Sequence, residues 1–465
     1  MRTSRLLHVL LLAAATTCLA CGAAATAHHP ASSVASSSPA QTATPAGKAA
    51  QTPLPVGEKL FLRMPGNPSG RIAVLNAAGG AVERELPDGV PSPDWSTLYT
   101  IEPGGGTPAQ TVIRAVDVAG GAPLRQQTID GAYALPAAEL DGTPGGLSSN
   151  GRWLALVDAS ADGYAAGRSQ FVVLDSTFVM PPKRVSLDGI FWFDALSNDG
   201  ASLYLIERSG PDGSLDYRVR RFDLAAGALD PTIVAEKGGP EQMRGLRITA
   251  VAAPDGDRLY SLYTNGPDGA FVHALTLSGR FAICIDLPNP STPTPAAGSL
   301  AQEDRRLAWS LALSAGGTML YAVNSASGQV VAVDLNNNAV RRAVTLSARP
   351  KRPGGPLQAL WQWLAPAPAA AKQIMHGGAA LSPDGQTLFA ATNDGVLAID
   401  TVTLQPRAHL LGGQAIAGLR LSPDGARLYA LPADGSAVVV VDTARGSLLG
   451  RLQTSTQPDR IWQVR

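Results

Sequence analysis

Three of the six histidines, His273, His376 and His409, lie outside the N-terminal region, and they are the natural place to look for chemistry. His273 sits in "FVHALT" and His409 in "RAHLL", stretches whose apolar alternation reads as strand, so both are expected to be structural. His376 differs. It opens "HGGAALSPDG" after a long loop and is expected at a strand entry, where a side chain can face a ligand. Phe191, Arg247 and Ile416 occupy the same register in other segments, with Arg244, Glu303, Asp304, Arg305 and Arg306 in the loops just ahead. Such a set suits capture of an anionic or polar ligand, although Arg–Glu clusters on loops are commonly no more than solvated surface.

Other chemistries lack their residues. Paired histidines at helical spacing, cysteine pairs beyond the N-terminal region and a twelve-residue calcium loop are all missing, and no Gly-x-Ser-x-Gly elbow occurs. Glycine-rich stretches such as "PGGGTP" are not followed by a helix and lysine, which argues against phosphate cradling. No metal, no cofactor and no catalytic residue is therefore assigned from the sequence. Lys plus Arg equals Asp plus Glu at 37 each, which removes the electrostatic term that dominates nucleic-acid binding. Cys284, alternating with Ile283 and Ile285 in "FAICIDL", is expected to be a small core side chain.

What positions these residues is a repeated phrase. "LSPDGARLYAL" at Leu421–Leu431 nearly restates "LSPDGQTLFAA" at Leu381–Ala391. Aligned on the turn glycine, the phrase occurs eight times, at Gly57, Trp95, Gly151, Gly200, Gly256, Gly317, Gly385 and Gly425, with Trp95 standing in the glycine's place. A second phrase, an apolar alternation ending in a polar residue, follows each copy, as in "FVVLD" to Asp175 and "VVVVD" to Asp442. The first phrase is turn chemistry. Proline pre-sets φ, aspartate bonds the backbone ahead of it, and glycine takes positive φ. The second is a strand of period two. Each unit, roughly fifty residues, supplies about four short antiparallel strands, which is the size of a propeller blade. The first copy lacks an inner strand, and the chain ends in "DRIWQVR", Asp459–Arg465, an apolar alternation able to supply it. The expected fold is all-β: a propeller of eight four-stranded blades over residues 57–465, closed by the C-terminal strand.

The phrases "LSPDG…LY" and "VVVVDTARGSLLGRL" resemble the YVTN-type, WD40-like β-propeller repeat of bacterial exported proteins, over Gly57–Arg465 and most closely in the last two repeats. That resemblance implies seven blades as the commoner number, whereas the count gives eight. Some related propellers are lactonases, which implies a lactonase-like hydrolase at the channel mouth as the alternative to a non-catalytic binding scaffold. Quinone-cofactor dehydrogenases also use eight blades, but their tryptophan-docking repeat is absent here.

In a four-stranded blade the links between strands two and three, and between blades, emerge on one face. Here they carry the long insertions, among them Glu102–Gln110, Gly131–Gly146, Pro288–Arg305 and Ser347–His376, while the opposite face has short turns. The loop-rich face is the expected site of a small-molecule or protein partner. In its longest insertion Leu357, Leu360, Trp361 and Leu364 fall at helical spacing, with Trp363 off the stripe and available to a partner.

Residues 1–21 read as a lipoprotein-type signal: Arg2 and Arg5, an apolar run from Leu6 to Ala15, then "CLACG" with Cys21 as the lipidated residue. Ordinary signal cleavage after the Ala-x-Ala of Ala25 and Ala27, without lipidation, is the alternative. Residues 22–56, almost free of large apolar side chains, read as a disordered tether. The chain is thus expected to be exported, anchored at the outer face of a membrane, and monomeric. Metabolic labelling with a fatty-acid analogue should mark the wild type and not Cys21→Ala; equal label in both would remove the anchor.

Overall fold

The computed structural model describes residues 57–66, 70–160, 167–208, 215–235, 242–266, 268–346, 378–435 and 437–465. The expected signal and tether, His376, Trp363 and the helical spacing around Trp361 lie outside these residues. Eight antiparallel sheets form a ring, as the repeat count requires. The blades begin at Lys59, Val90, Tyr133, Phe191, Leu246, Trp309, Ala379 and Ile416, and are numbered one to eight in that order.

Blade eight shows how the phrases become structure. Its strands are Ile416–Leu421, Arg427–Pro432, Ala437–Asp442 and Leu448–Gln453, paired in that order. Between the first two, Ser422 Oγ donates to Asp424 Oδ1 at 2.5 Å, and the same carboxylate oxygen accepts from the Ala426 amide at 3.0 Å. Ser422 Oγ also accepts from the Arg427 amide at 2.9 Å. These bonds, the serine's first, hold Asp424 below the usual carboxylate range. Gly425 has φ of +71°, and a Cβ there would lie 2.5 Å from Pro383 Cδ in the turn of blade seven. The glycine is required twice, by the backbone and by the neighbouring blade. Trp95, in the glycine's place in blade two, also has positive φ, +55°. Its ring packs 5.0 Å from Phe61 and 5.8 Å, edge-on, from Trp462, aromatic contacts that offset the strain.

Aspartates ending the third strands cap the turns to the fourth: Asp442 Oδ1 accepts from the Ala444 and Arg445 amides. The second and third strands are apolar on both faces because each sheet is sandwiched between neighbours. Ala437–Asp442 is buried along nearly its whole length, whereas the outer strand Leu448–Gln453 alternates. Each core cluster joins two adjacent blades, as where Tyr429, Leu431 and Val438 of blade eight pack on Leu60, Leu62 and Ile461 of blade one.

The ring closes as the sequence implies. Arg460–Val464 pairs antiparallel with Lys59–Met64, placing Leu60 opposite Val464 and Leu62 opposite Ile461. Glu58, 8% exposed, crosses the junction and accepts from Arg427 Nε at 3.0 Å and from the Tyr429 hydroxyl.

Two insertions depart from simple loops. Pro288–Arg305 is expected to be a blade-to-blade link, and α1, Leu300–Leu307, capped by Ser299, begins within it and runs two residues beyond. Gly131–Gly146 does not lie wholly between blades. Tyr133 and Ala134 pair with Asp158 and Val157, the chain then leaves the sheet, and Leu147 returns to pair with Leu154. The inner strand of blade three is interrupted by a hairpin, Pro136–Gly145, held by an Ala138-to-Thr143 backbone bond of 2.8 Å.

Deleting Arg460–Arg465 removes the closing strand and the burial of Ile461 and Val464. The truncated protein should melt about 10 °C lower and aggregate through the exposed edge. An unchanged melting temperature would contradict closure at this seam.

Candidate functional site: the axial hairpin and its flanking cavity

The hairpin reaches from blade three to blades one and five. Its Leu140 amide donates to Ile248 O of blade five at 3.2 Å, and Arg247 Nη2 donates to Ala137 O at 3.2 Å. On the other side Arg460, in the closing strand of blade one, donates to Glu139 Oε2 at 2.6 Å and to the Thr143 hydroxyl, with Asp141 Oδ2 3.7 Å away. Blades one, three and five are therefore tied together through one hairpin.

Burial makes these bonds costly to break. The Arg460 side chain is 8% exposed, and Glu139 and Asp141 hold its charge firmly on despite desolvation. Arg420, on the inner strand of blade eight, has its pKa lowered to about 10, first by burial and then by repulsion from Arg460. Asp459 moves the other way. Burial, with repulsion from Asp141 and Asp88, raises it to about 6, and only Arg63, 3.5 Å away, and Arg460 oppose the shift.

Beside the hairpin opens a cavity of about 340 Å³, lined by Pro136, Ala137, Leu140, Trp192, Arg208 and Arg247 among others. Trp192 is 41% exposed, an unusual state for a large aromatic ring, and the Arg208 guanidinium lies 4.9 Å from its centroid. A shoulder in the inner strand of blade four produces this wall. The register shifts between Phe193 and Ala195, turning Asp194 inward and leaving Trp192 outward. Asp194, 5% exposed, accepts from Arg247 Nη1 at 2.8 Å through Oδ1, while its buried Oδ2 has no hydrogen-bond partner.

A larger cavity, 510 Å³, lies between blades six and seven against Ser325–Gly328 and Thr392–Asp394. Its histidine, His409, is committed to the wall, with Nε2 2.6 Å from Asp394 O. His409 thus holds a turn, as expected of a structural residue.

Of the described residues expected to face a ligand, Arg247 alone lines the smaller cavity, and most of its donors are spent on Asp194, Ala137 and Phe193. Phe191 is 2% exposed and Ile416 fully buried, both in the core between blades. Arg305 is 4% exposed and pins the insertion ahead of α1 by bonds to Asp268, Pro293 O and Thr292 O. Arg306 pairs with Glu303 at 3.4 Å, and Arg244 is largely exposed near Asp216. Cys284 differs from the expected core residue. In the outer strand Phe281–Leu287, Ala282, Ile285 and Leu287 take the buried positions and leave Cys284 exposed. Trp192, Arg208, Glu139 and Arg460 escaped sequence reasoning. Trp192 stands one residue after Phe191 in "IFWFDAL", where the run of aromatics conceals the shift in register.

Among the described residues no three His, Cys, Asp or Glu side chains gather as a metal site, and no helix is long and apolar enough to cross a membrane. No family model and no curated protein sequence matches the chain.

The sheets and their closure define an eight-bladed β-propeller. Among solved structures, apo AztD from Citrobacter koseri resembles it with a TM-score of 0.51 at 13% identity, covering 88% of this chain and 97% of that one. A candidate 6-phosphogluconolactonase from Bacteroides fragilis has a TM-score of 0.41 at 16% identity, covering 86% and 96%. At such identities the likeness is one of fold.

Asp459 gives the axial cluster a pH signature. Its folded pKa, about 6, lies above the ordinary value of 3.8, so the folded state binds the extra proton between those limits. Stability therefore falls as pH rises through that window, and the loss is complete above it. The Asp459 side chain is 37% exposed, so solvent reduces the effect. Asp459→Asn should be more stable than wild type by about 1 kcal/mol at pH 8, with no difference below about pH 4. Denaturant unfolding across pH measures this, and a constant difference would reject the assignment.

Proposed function

We propose that this protein is an exported, lipid-anchored propeller that binds a small anionic molecule, without catalysis, in the cavity beside the axial hairpin. The observation that carries the proposal is the wall formed by exposed Trp192 with Arg208 over its ring, at the edge of a concave, mainly apolar space. Binding sites for small molecules combine such a surface with a few fixed polar groups. Trp192 offers a flat face with the Arg208 cation beside it, while the charge of Arg247 is balanced by Asp194.

The position supports the reading too. The cavity lies where the inner strands of blades four and five begin, on the face that also carries the hairpin and the longer insertions. The anchor rests on the residues around Cys21, and a tether of 22–56 would hold the ring clear of a membrane. A hydrolase would need acid and base groups free to act at the axis. Glu139, the carboxylate that lines the cavity, is occupied by its ion pair with Arg460 and is not free for that role.

The test is a thermal-shift and tryptophan-fluorescence screen of small carboxylates, phosphates and sugar acids. Trp192→Ala should weaken any hit at least about tenfold, because base- or ring-stacking on an aromatic face contributes on the order of 1–3 kcal/mol. Arg445→Ala, on the short-turn face, should leave affinity within about twofold. Reversed effects, with both variants folded, would put the site on the other face. Turnover of a hit by the wild type would replace binding with hydrolysis.

A further inference from the structure

Between blades four and five two soft sulfur atoms and an imidazole nitrogen meet. Cys284 Sγ lies 3.8 Å from Met243 Sδ and 3.6 Å from His273 Nδ1. Their positions come from separate elements. His273 and Cys284 are cross-strand neighbours on Ala270–Thr276 and Phe281–Leu287 of blade five. Met243 belongs to the two-residue strand Met243–Arg244, which pairs with Asp216 and Tyr217 of blade four.

We propose that Cys284, His273 and Met243 form a binding site for one monovalent soft metal ion of the copper(I) class. The spacing fits a shared ion. Metal–sulfur bonds of about 2.3 Å and metal–imidazole bonds of about 2.0 Å, at angles between tetrahedral and trigonal, separate two sulfurs by about 3.8–4.0 Å and sulfur from nitrogen by about 3.5–3.7 Å. Both observed separations from Cys284 lie in those ranges. Thiolate and thioether together select copper(I) over zinc or harder ions, since thioether is a poor ligand for the latter.

The histidine supplies an independent indication. His273 is 1% exposed; its Nδ1 faces Cys284, and its Nε2, on the far side of the ring, has no hydrogen-bond partner. Burial lowers its pKa and keeps the imidazole neutral, the form that ligates. The edge contact with Tyr263, 6.0 Å between centroids, fixes the ring plane with Nδ1 toward Cys284. Exposure of Cys284 provides the entry path, while Met243, 8% exposed, closes the inner side. On binding, the Cys284 thiol releases its proton to solvent and the sulfur bonds the ion, with no change of oxidation state. A bound ion would bridge blade four to blade five, which otherwise meet here through apolar and aromatic contacts.

The experiment uses the full chain carrying Cys18→Ala and Cys21→Ala, which leaves Cys284 as its single thiol. Copper(I) is titrated anaerobically against a chromophoric copper(I) chelator, with melting curves confirming that each variant is folded. The protein should withhold one equivalent, and X-ray absorption should show two sulfurs and one nitrogen around the metal. Met243→Leu preserves volume, thiol and imidazole, and should weaken retention at least about tenfold; Cys284→Ser should abolish it. Copper held equally well by Met243→Leu would overturn the site, because a lone thiol would then account for binding. Failure of the parent to withhold copper would overturn it too, as would displacement of copper(I) by equimolar zinc(II). None of these outcomes depends on the ligand proposed for the Trp192 cavity.

Discussion

Arg460 is the residue on which two separate features of this molecule converge. It belongs to the last strand of the chain, whose pairing with Lys59–Met64 turns an open row of blades into a ring. Its guanidinium also holds Glu139 and Thr143 of the hairpin that leaves blade three. Closure and occupation of the axis are thus not independent events. A buried cation of this kind gains little over an apolar side chain while its partners are present, and costs much once they are removed. Its value lies in specificity: the hairpin has one place to go, and that place exists only when the ring is closed.

The same logic explains the charge distribution around the axis. Eight inner strands bring their side chains toward one line, and a ring of this size leaves room that apolar side chains do not fill. The chain fills it with Arg420, Arg460, Glu139, Asp141 and Asp459. Their interactions show the cost, with Arg420 losing basicity to burial and to Arg460, and Asp459 losing acidity to burial and to Asp141. A central hairpin with two carboxylates is what allows two arginines to remain near each other in this space.

The sequence makes the ring legible because a propeller repeats its local chemistry. The turn phrase can be read eight times since positive φ recurs at the glycine position of every turn, with a serine–aspartate bond in four of them, and even Trp95 keeps the glycine's backbone. The closing strand is legible because the first copy lacks a partner that the last residues can supply. The hairpin is not, because its identity depends on Arg460, more than three hundred residues away in sequence. Trp192 is concealed for a related reason: one shift of register between Phe193 and Ala195 decides which aromatic of "FWF" faces the core. Cys284 follows the same rule, since its exposure on an outer strand depends on how far blade four, through Met243, reaches over blade five.

Irregularity in a repeat fold therefore deserves to be read as information about use. Within each of blades six, seven and eight the strands follow the repeat closely and connect through turns of a few residues. Blades three, four and five hold the interrupted inner strand, the bulge that exposes Trp192, the extra strand at Met243 and the meeting of Cys284 with His273. A stable ring needs none of these. Each one breaks a pairing or exposes a side chain that the neighbouring blades would otherwise bury, at a cost in stability that the regular half of the ring offsets. The departures are also contiguous, so that a hairpin, a cavity wall and a soft-donor cluster share one sector. Regular blades set the frame, and the sector that deviates from them is where binding chemistry can be built.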